Sequence, residues 1–362
     1  MKLSTKILHL SLMVLWVLIS FCLLVAIVSP YINPQWFWPP ALFGLLFKVW
    51  VILEIFVFTL ALLINYRSLY ILSFIIICCS LPGLSKSFGI WPRTSNKDPK
   101  KNIRVMTYNV ANFNWFTDSA NLQNLYSNFS DIQPDVLCMQ EYSEMPGKVE
   151  KVEEFLARQG LIYNYKHITR DVKGPNKVGL AIFSKYPFRN VVPIPFFATA
   201  NGAFCVDVSI RGDTLRMINV HFQSIGMRKR EVEIPVTDEE KEIRTAVFRS
   251  SLKKLREGFR KRSVQGLEVC RAIDSSRYPV IVCGDFNDSP VSYVYKQLTQ
   301  RLTDAWLHTN FGLGSTYAGF VPFQRIDYIM TGPNIKIAKA KILRHQGSDH
   351  LPLFCDFSIL TQ

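Results

Sequence analysis

The chain has 362 residues, and 42 lysines and arginines against 28 acidic residues leave a formal charge of +14 at pH 7. A basic surface favours polyanionic partners such as nucleic acid, phosphate esters or anionic lipid headgroups, without choosing among them. The eight cysteines show no CxxC or Cys/His spacing, which excludes a zinc module, and their scatter excludes a disulfide framework.

The composition is split near residue 91. Up to there the chain is mostly apolar, with Lys2, Lys6, Lys48, Arg67 and Lys86 against Glu54. Ile7 to Val28 carries no Asp, Glu, Lys or Arg over 22 residues, long enough to cross a bilayer. It is too long for the apolar core of a secretory signal, and no small-residue cleavage site follows it. A second apolar run, Ala41 to Ile64, is interrupted by Lys48 and Glu54, which do not share a helix face. Each is expected to snorkel or to find a partner on another helix. A third run, Ser68 to Ser85, is expected to end near Pro82-Gly83.

These runs predict a membrane anchor over residues 1–90 with three transmembrane helices, a polar linker over 91–101 and a region of soluble composition over 102–362. The expected location is a membrane. Lys2, Lys6 and Arg67 put the amino terminus inside by the positive-inside rule. Three crossings then place the downstream region outside the cytoplasm; a third run that only lies on the surface would keep it inside.

The remainder alternates strand and helix patterns. Strands are expected over 103–110, 135–141, 178–185, 203–210, 215–222, 279–284, 325–330 and 353–358. Helices are expected over 119–129, 148–158, 240–273 and 291–300, the third opening on Thr237 and Glu240 as a capping box. Such a series predicts two packed sheets flanked by helices in one domain.

Strand after strand ends in a group that can bind metal or phosphate: Asn109, Glu141, His221, then Asp285 and Asn287 in "VCGDFNDSP", Asp327 in "RIDYI", and Asp349-His350 in "GSDH". Each has a plain alternative. Asn109 can serve a turn, Glu141 a helix start and His221 the core. Asp327 can pair with Arg325, and "GDFND" can close an Asx turn. All of them together are harder to explain that way.

Together the motifs "MTYNV", "CMQEY", "GLAIFSKYPF", "NVHFQS", "VCGDFNDSP", "STY" followed by "RIDYIM", and "GSDHLP" resemble the endonuclease/exonuclease/phosphatase superfamily. That superfamily includes DNase I-like nucleases, abasic-site endonucleases, inositol polyphosphate 5-phosphatases and neutral sphingomyelinases. The motifs fall in the family's order over about residues 102–358, which implies a catalytic domain over 102–362, and the apolar head resembles that of bacterial membrane-attached members, which implies the bacterial inner membrane. The resemblance implies a four-layer α/β sandwich and a metal-dependent phosphoesterase. It implies Mg²⁺, with Mn²⁺ as the alternative ion, held by Glu141, Asn109 and Asp349. Asp285 would activate the attacking water and Asn287 would hold that water or a phosphate oxygen. His350, oriented by Asp327, would donate to the scissile phosphate, His221 would contact phosphate or assist the leaving group, and Thr316 would be a further phosphate contact. Asp288 is expected to serve the turn.

The substrate stays open between nucleic acid and a phospholipid, phosphoinositide or sphingomyelin-type headgroup. A binding protein that only recognises phosphorylated ligands is the alternative of another class, and no protein partner is inferable. Basic residues in the helix over 240–273 allow a phosphate-binding edge, a solvated face or attraction to a membrane surface.

Overall fold

The apolar head folds as helices, which satisfy their backbone N–H and C=O groups internally. The computed structural model describes residues 3–90, 102–113, 123, 126, 129–144, 147, 149–171, 177–225, 240–319, 323–343 and 348–360. Thr237, and most of the helix expected over 119–129, lie outside the described residues. Contacts divide the chain into two units, Met1–Phe88 with Asp288–Lys296, and Gly89–Asn287 with Gln297–Gln362.

The first unit contains α1 (Leu3–Val28), α2 (Pro39–Leu45), α3 (Phe47–Leu63) and α4 (Arg67–Ser87). Within it, His9–Tyr31 and α4 are each long and apolar enough to cross a membrane, while α2 and α3 form one bent pair at 68°. The run expected as a single helix thus breaks at Leu46. Two residues earlier, a side chain on Gly44 would collide with the Ser29 hydroxyl, so α2 packs closely against the turn after α1. In the other direction, α4 runs on through Pro82 to Ser87. Gly83 packs directly against the Phe47 ring, and that tertiary contact holds the turn helical past the proline.

Glu54 is fully buried in α3. Its carboxylate accepts from Trp16 Nε1 (3.0 Å) and Ser20 Oγ (2.9 Å), both on α1. A lone carboxylate among apolar helices is costly unless it is hydrogen-bonded, and these donors fix α3 against α1. Asp288–Lys296 belongs to the same unit: the Val291 carbonyl accepts from Ser29 Oγ (3.2 Å), and its side chain joins Leu23, Ala26, Phe47 and Val51.

In the second unit the described elements, in chain order, are β1 (Ile103–Asn109), β2 (Val136–Ser143), α5 (Val149–Arg158), β3 (Tyr163–Asp171), β4 (Lys177–Ser184), β5 (Phe188–Ile194), β6 (Gly202–Ile210), β7 (Asp213–His221) and α6 (Glu240–Asp274). They continue with β8 (Val280–Asp285), α7 (Tyr293–Thr299, whose first four residues belong to the first unit), β9 (Thr303–Asp304), α8 (Ala305–Thr309), β10 (Asp327–Thr331), β11 (Ile335–Ile342) and β12 (Leu353–Ile359). One mixed sheet has the order β11-β12-β1-β2-β4-β3 and the other β5-β6-β7-β8-β10-β9. Val105, Cys138 and Ile182 of the first sheet meet Val206, Met217 and Cys283 of the second in one core. Val152 and Leu156 of α5 cover the outer face of the first sheet through Met106, Leu137 and Met139. Leu255, Phe259 and Val269 bury the inner face of α6. Two sheets with helices outside give the four-layer α/β sandwich expected.

β3, β5, β9 and β11 form the sheet edges and were not expected as strands. Their exposed polar positions hide the pattern: β11 reads IKIAKAKI and β5 carries Pro193, which an edge tolerates.

Candidate active site

Beneath the site, the fully buried Gln140 ties the two sheets together. Its Nε2 donates to Asn219 Oδ1 (2.7 Å) and to Thr107 Oγ1 (3.0 Å), while Asn219 Nδ2 donates to Ala181 O (2.9 Å). With every amide partnered, such a network fixes the relative position of the strand ends it joins. One residue later, β2 bulges between Gln140 and Tyr142, and Glu141 takes a left-handed φ of 50°. A bulge bends the strand and re-aims the extra side chain. Asn287 is left-handed as well, at 50°, and strained non-glycine residues of this kind gather at functional sites.

At the far side β7 and β8 run parallel, placing His221 beside Asp285, and β10 sets Asp327 opposite Asp285. Gly284 has a φ of 143°, and a Cβ there would collide with the Val220 carbonyl. Only glycine lets the chain approach β7 so closely before Asp285.

Asp285 is 1% exposed and lies at the centre. Its Oδ1 accepts from the Asn287 backbone N–H (2.8 Å), so the Asx turn expected as a plain alternative does form. Its Oδ2 meanwhile accepts from Asn109 Nδ2 (2.9 Å) and Asn287 Nδ2 (3.1 Å). His221 Nε2 lies 3.5 Å from the same oxygen and His350 Nε2 3.7 Å from it. Burial pushes the Asp285 carboxyl up to about 6, against the opposing pull of His350.

His350 shares its Nδ1 with both oxygens of Asp327, at 3.0 and 3.1 Å. Burial alone would lower its pKa, but Asp327 and then Asp285 outweigh burial and raise it to about 10. Asp327 is free for this role because Arg325, buried behind it, is bonded to Asp304 instead. The ring of Tyr317 stands 5.0 Å from that of His350.

Glu141 accepts from Asn109 Nδ2 (3.3 Å) and Asn112 Nδ2 (2.9 Å), and its side chain keeps 30% of its exposure. His221 Nε2 points at it from 3.8 Å; among the described residues this buried nitrogen has no hydrogen-bond partner. The sequence reading missed Asn112, whose left-handed φ of 56° follows an ordinary-looking strand end. It also missed Tyr317 and Ser348, whose Oγ donates to Asn109 O (2.8 Å). Tyr317 and Ser348 lie within the quoted motifs "STY" and "GSDH", whereas no local spacing marks Asn112.

The structure thus brings Asn109, Glu141, His221, Asp285, Asn287, Asp327 and His350 together. Two expected residues make other described contacts. Thr316 is fully buried, and its Oγ1 accepts the backbone N–H groups of Ile326 and Asp327 (3.1 Å each), so it pins Asp327 from behind and does not face the open site. Asp349 is exposed next to His350, on which its charge acts, and its described hydrogen bond runs from Ala318 N–H to its backbone carbonyl (2.8 Å).

Ligand atoms of Asp285, Asp327 and His350 lie within 4.8 Å of one another, a grouping that can hold a cation. The Asp327 oxygens are already engaged by His350, however. The half-open Glu141, beside the unpartnered His221 nitrogen, offers the better oxygen ligand for a hard divalent ion.

Comparisons with known proteins bear on two parts of the chain. Residues 106–350 match the Endonuclease/Exonuclease/phosphatase family, and residues 6–87 match a domain of unknown function, DUF8431. Among curated proteins nothing matches. Of solved structures, the human Nocturnin catalytic domain with bound sulfate is 20% identical, with a TM-score of 0.52 over 73% of this chain and all of its own. D. rerio TDP2 complexed with a single-strand DNA product is 18% identical, with a TM-score of 0.50 over 71% and 99%. A Bacteroides thetaiotaomicron endonuclease/exonuclease/phosphatase family protein is 15% identical, with a TM-score of 0.50 over 71% and 97%. At such identities these likenesses establish the fold alone.

Proposed function

As a member of the endonuclease/exonuclease/phosphatase family, to which this chain belongs through residues 106–350, the protein is a hydrolase acting on phosphate esters, and we propose that it is a membrane-anchored, Mg²⁺-dependent phosphodiesterase. The observation that carries the reading is the placement of Asp285 between Asn109, Asn287, His221 and His350.

Asp285 accepts the proton of the attacking water. Burial raises its basicity without keeping it protonated at neutral pH, which suits a general base. The Asn287 amide nitrogen is committed to Asp285 and to Phe222 O (3.0 Å), so its oxygen is left to position that water. His350, held charged by Asp327, presents Nε2–H to the phosphoryl oxygen or the leaving group. His221 Nε2 faces the same space from the opposite strand. Glu141 would hold the cation, aimed by Asn109 and Asn112; bound there, Mg²⁺ supplies charge neutralisation at the phosphoryl oxygens.

The helices of residues 1–90 are read as the anchor, with α1, the bent α2–α3 pair and α4 as three crossings and the catalytic unit outside the cytoplasm. A bacterial inner membrane suits this arrangement, and Mn²⁺ is the natural substitute ion.

Hydrolysis of bis-p-nitrophenyl phosphate by the purified full-length protein tests the reading. Activity should require Mg²⁺, vanish in EDTA and fall by at least ~100-fold in Asp285→Ala. Wild-type-like turnover by that variant would overturn it. A substrate panel should begin with single-stranded DNA, present as product in the D. rerio TDP2 structure, and include phospholipid headgroups.

A further inference from the structure

The apolar helix α4 ends at Ser87, and the second unit begins two residues later. Gly89 and Gly312 exchange reciprocal backbone hydrogen bonds, Gly89 N–H to Gly312 O (2.9 Å) and Gly312 N–H to Gly89 O (3.0 Å). A side chain on Gly89 would collide with the Asn310 carbonyl, so the two segments run in direct backbone contact. Along the chain, therefore, the second unit begins within two residues of the end of an apolar helix.

Beside this bridge stand two large apolar side chains, Ile90 at 47% and Phe311 at 69% exposure. The same segment is fastened to the edge strand β11: Asn310 Nδ2 donates to Ala340 O (3.0 Å), and Ala340 N–H donates to Thr309 Oγ1 (3.1 Å). On β11 the ladder shifts register between Ile337 and Lys339. Without that bulge the strict alternation of a strand would send Lys339 and Lys341 to the opposite face from Lys336. With it, Lys336, Lys339 and Lys341 are all exposed. Asp356, opposite Lys339 in the ladder, is held by Arg104 (2.5 and 2.8 Å). The segments 88–90, 309–314 and 335–342 contain no acidic residue.

We propose that this face, made of Ile90, Phe311 and the three β11 lysines, rests on the anionic phospholipid surface of the bilayer that holds α1 to α4. The proposal depends on the anchor reading above. Its occupant follows from continuity: the chain leaves the apolar helix two residues before Gly89, so the nearest surface is the headgroup layer. The chemistry agrees, since aromatic and aliphatic side chains enter the headgroup boundary and lysines attract anionic lipid. Each lysine near such a surface contributes about fivefold in affinity. Docking would hold the catalytic unit in a fixed pose at the membrane and spare this edge strand from pairing with another chain.

Lysine footprinting of the full-length protein tests this, using an amine-reactive acylating reagent and mass spectrometry. The samples are detergent micelles, phosphatidylcholine nanodiscs and phosphatidylglycerol nanodiscs. Lys336, Lys339 and Lys341 should label at least ~5-fold more slowly in phosphatidylglycerol than in the other two, with the exposed Lys151 of α5 as internal control. A Phe311→Glu, Lys339→Glu, Lys341→Glu variant should lose protection of Lys336 and keep wild-type turnover of bis-p-nitrophenyl phosphate in detergent. Failure to enter nanodiscs, with release by alkaline carbonate, would refute the anchor itself. Insertion with equal labelling of the three lysines in all lipids would refute the docking alone.

Discussion

Replacing Asp327 by Asn removes one negative charge behind His350 and leaves the shape of the site unchanged. The amide oxygen can still accept from Nδ1–H across 3.0–3.1 Å, so the ring keeps its orientation. What changes is its charge. In the native site burial works against protonation, yet Asp327 and Asp285 raise the His350 pKa from an ordinary 6.5 to about 10. That rise is a preference of ~5 kcal/mol for imidazolium, and Asp327 leads its favourable causes. Without Asp327, burial regains the upper hand and the pKa falls. The variant ring then keeps its proton on Nδ1, facing Asn, and has none on Nε2 for the phosphate. Loss of a general acid costs ~10²–10⁴ in rate at neutral pH, and the alkaline limb of the kcat/KM profile moves toward acid. Stability carries the same signature. A raised folded pKa gives His350 a contribution that is complete below pH 6.5 and is lost as pH rises through about 10. Thermal melting of the metal-free protein in detergent should therefore show a fall in Tm between about pH 6 and pH 10 that D327N flattens. A D327N protein with kcat/KM within about threefold of wild type and an unmoved alkaline limb would refute the reasoning.

Three further outcomes test other parts of the site. Glu141→Gln should weaken Mg²⁺ activation by at least ~100-fold and Asn112→Ala by ~10-fold, both rescued by excess Mg²⁺; an unchanged activation curve for Glu141→Gln would remove it from the cation site. Arg325→Met removes the cation from the buried ion pair with Asp304 and should cost ~3–5 kcal/mol in denaturant melts, partly restored by adding Asp304→Asn. Gly284→Ala should fail to fold, given its φ of 143° and the Val220 carbonyl in the way; a variant with a wild-type melt would contradict the close approach of β7 and β8.

The clustered polar groups were legible because each lies at a strand end or in a motif, and together they outweigh their plain alternatives: Asp285 and Asn287 two apart, Asp327 after Ile326, His350 before the last strand. The plain alternatives were resolved by distance. Asp327 bonds His350 because Asp304 occupies Arg325, and Asp304 lies 21 residues from Arg325 along the chain. Thr316 has a suitable hydroxyl for phosphate, but packing turns it inward to the backbone of Ile326 and Asp327. Asn112 and Tyr317 reach the site through a left-handed turn and a strand bridge to His350, which neighbouring residues do not announce.

By itself, the sequence determined the apolar head, the sandwich and the strands inside it. β1, β2, β4, β6, β7, β8, β10 and β12 are all interior to their sheets. Interior strands must be apolar on the faces they bury, and burial writes that requirement into each one locally. Only the tertiary structure decided β3, β5, β9 and β11, the edges, whose hydrogen bonds run to one neighbour and whose outward residues are free to be lysine or proline. It alone also decided the bulge that aims Glu141, the break at Leu46 and the pairing of Gly89 with Gly312. Each depends on an atom distant in the chain, and a local pattern carries no record of it.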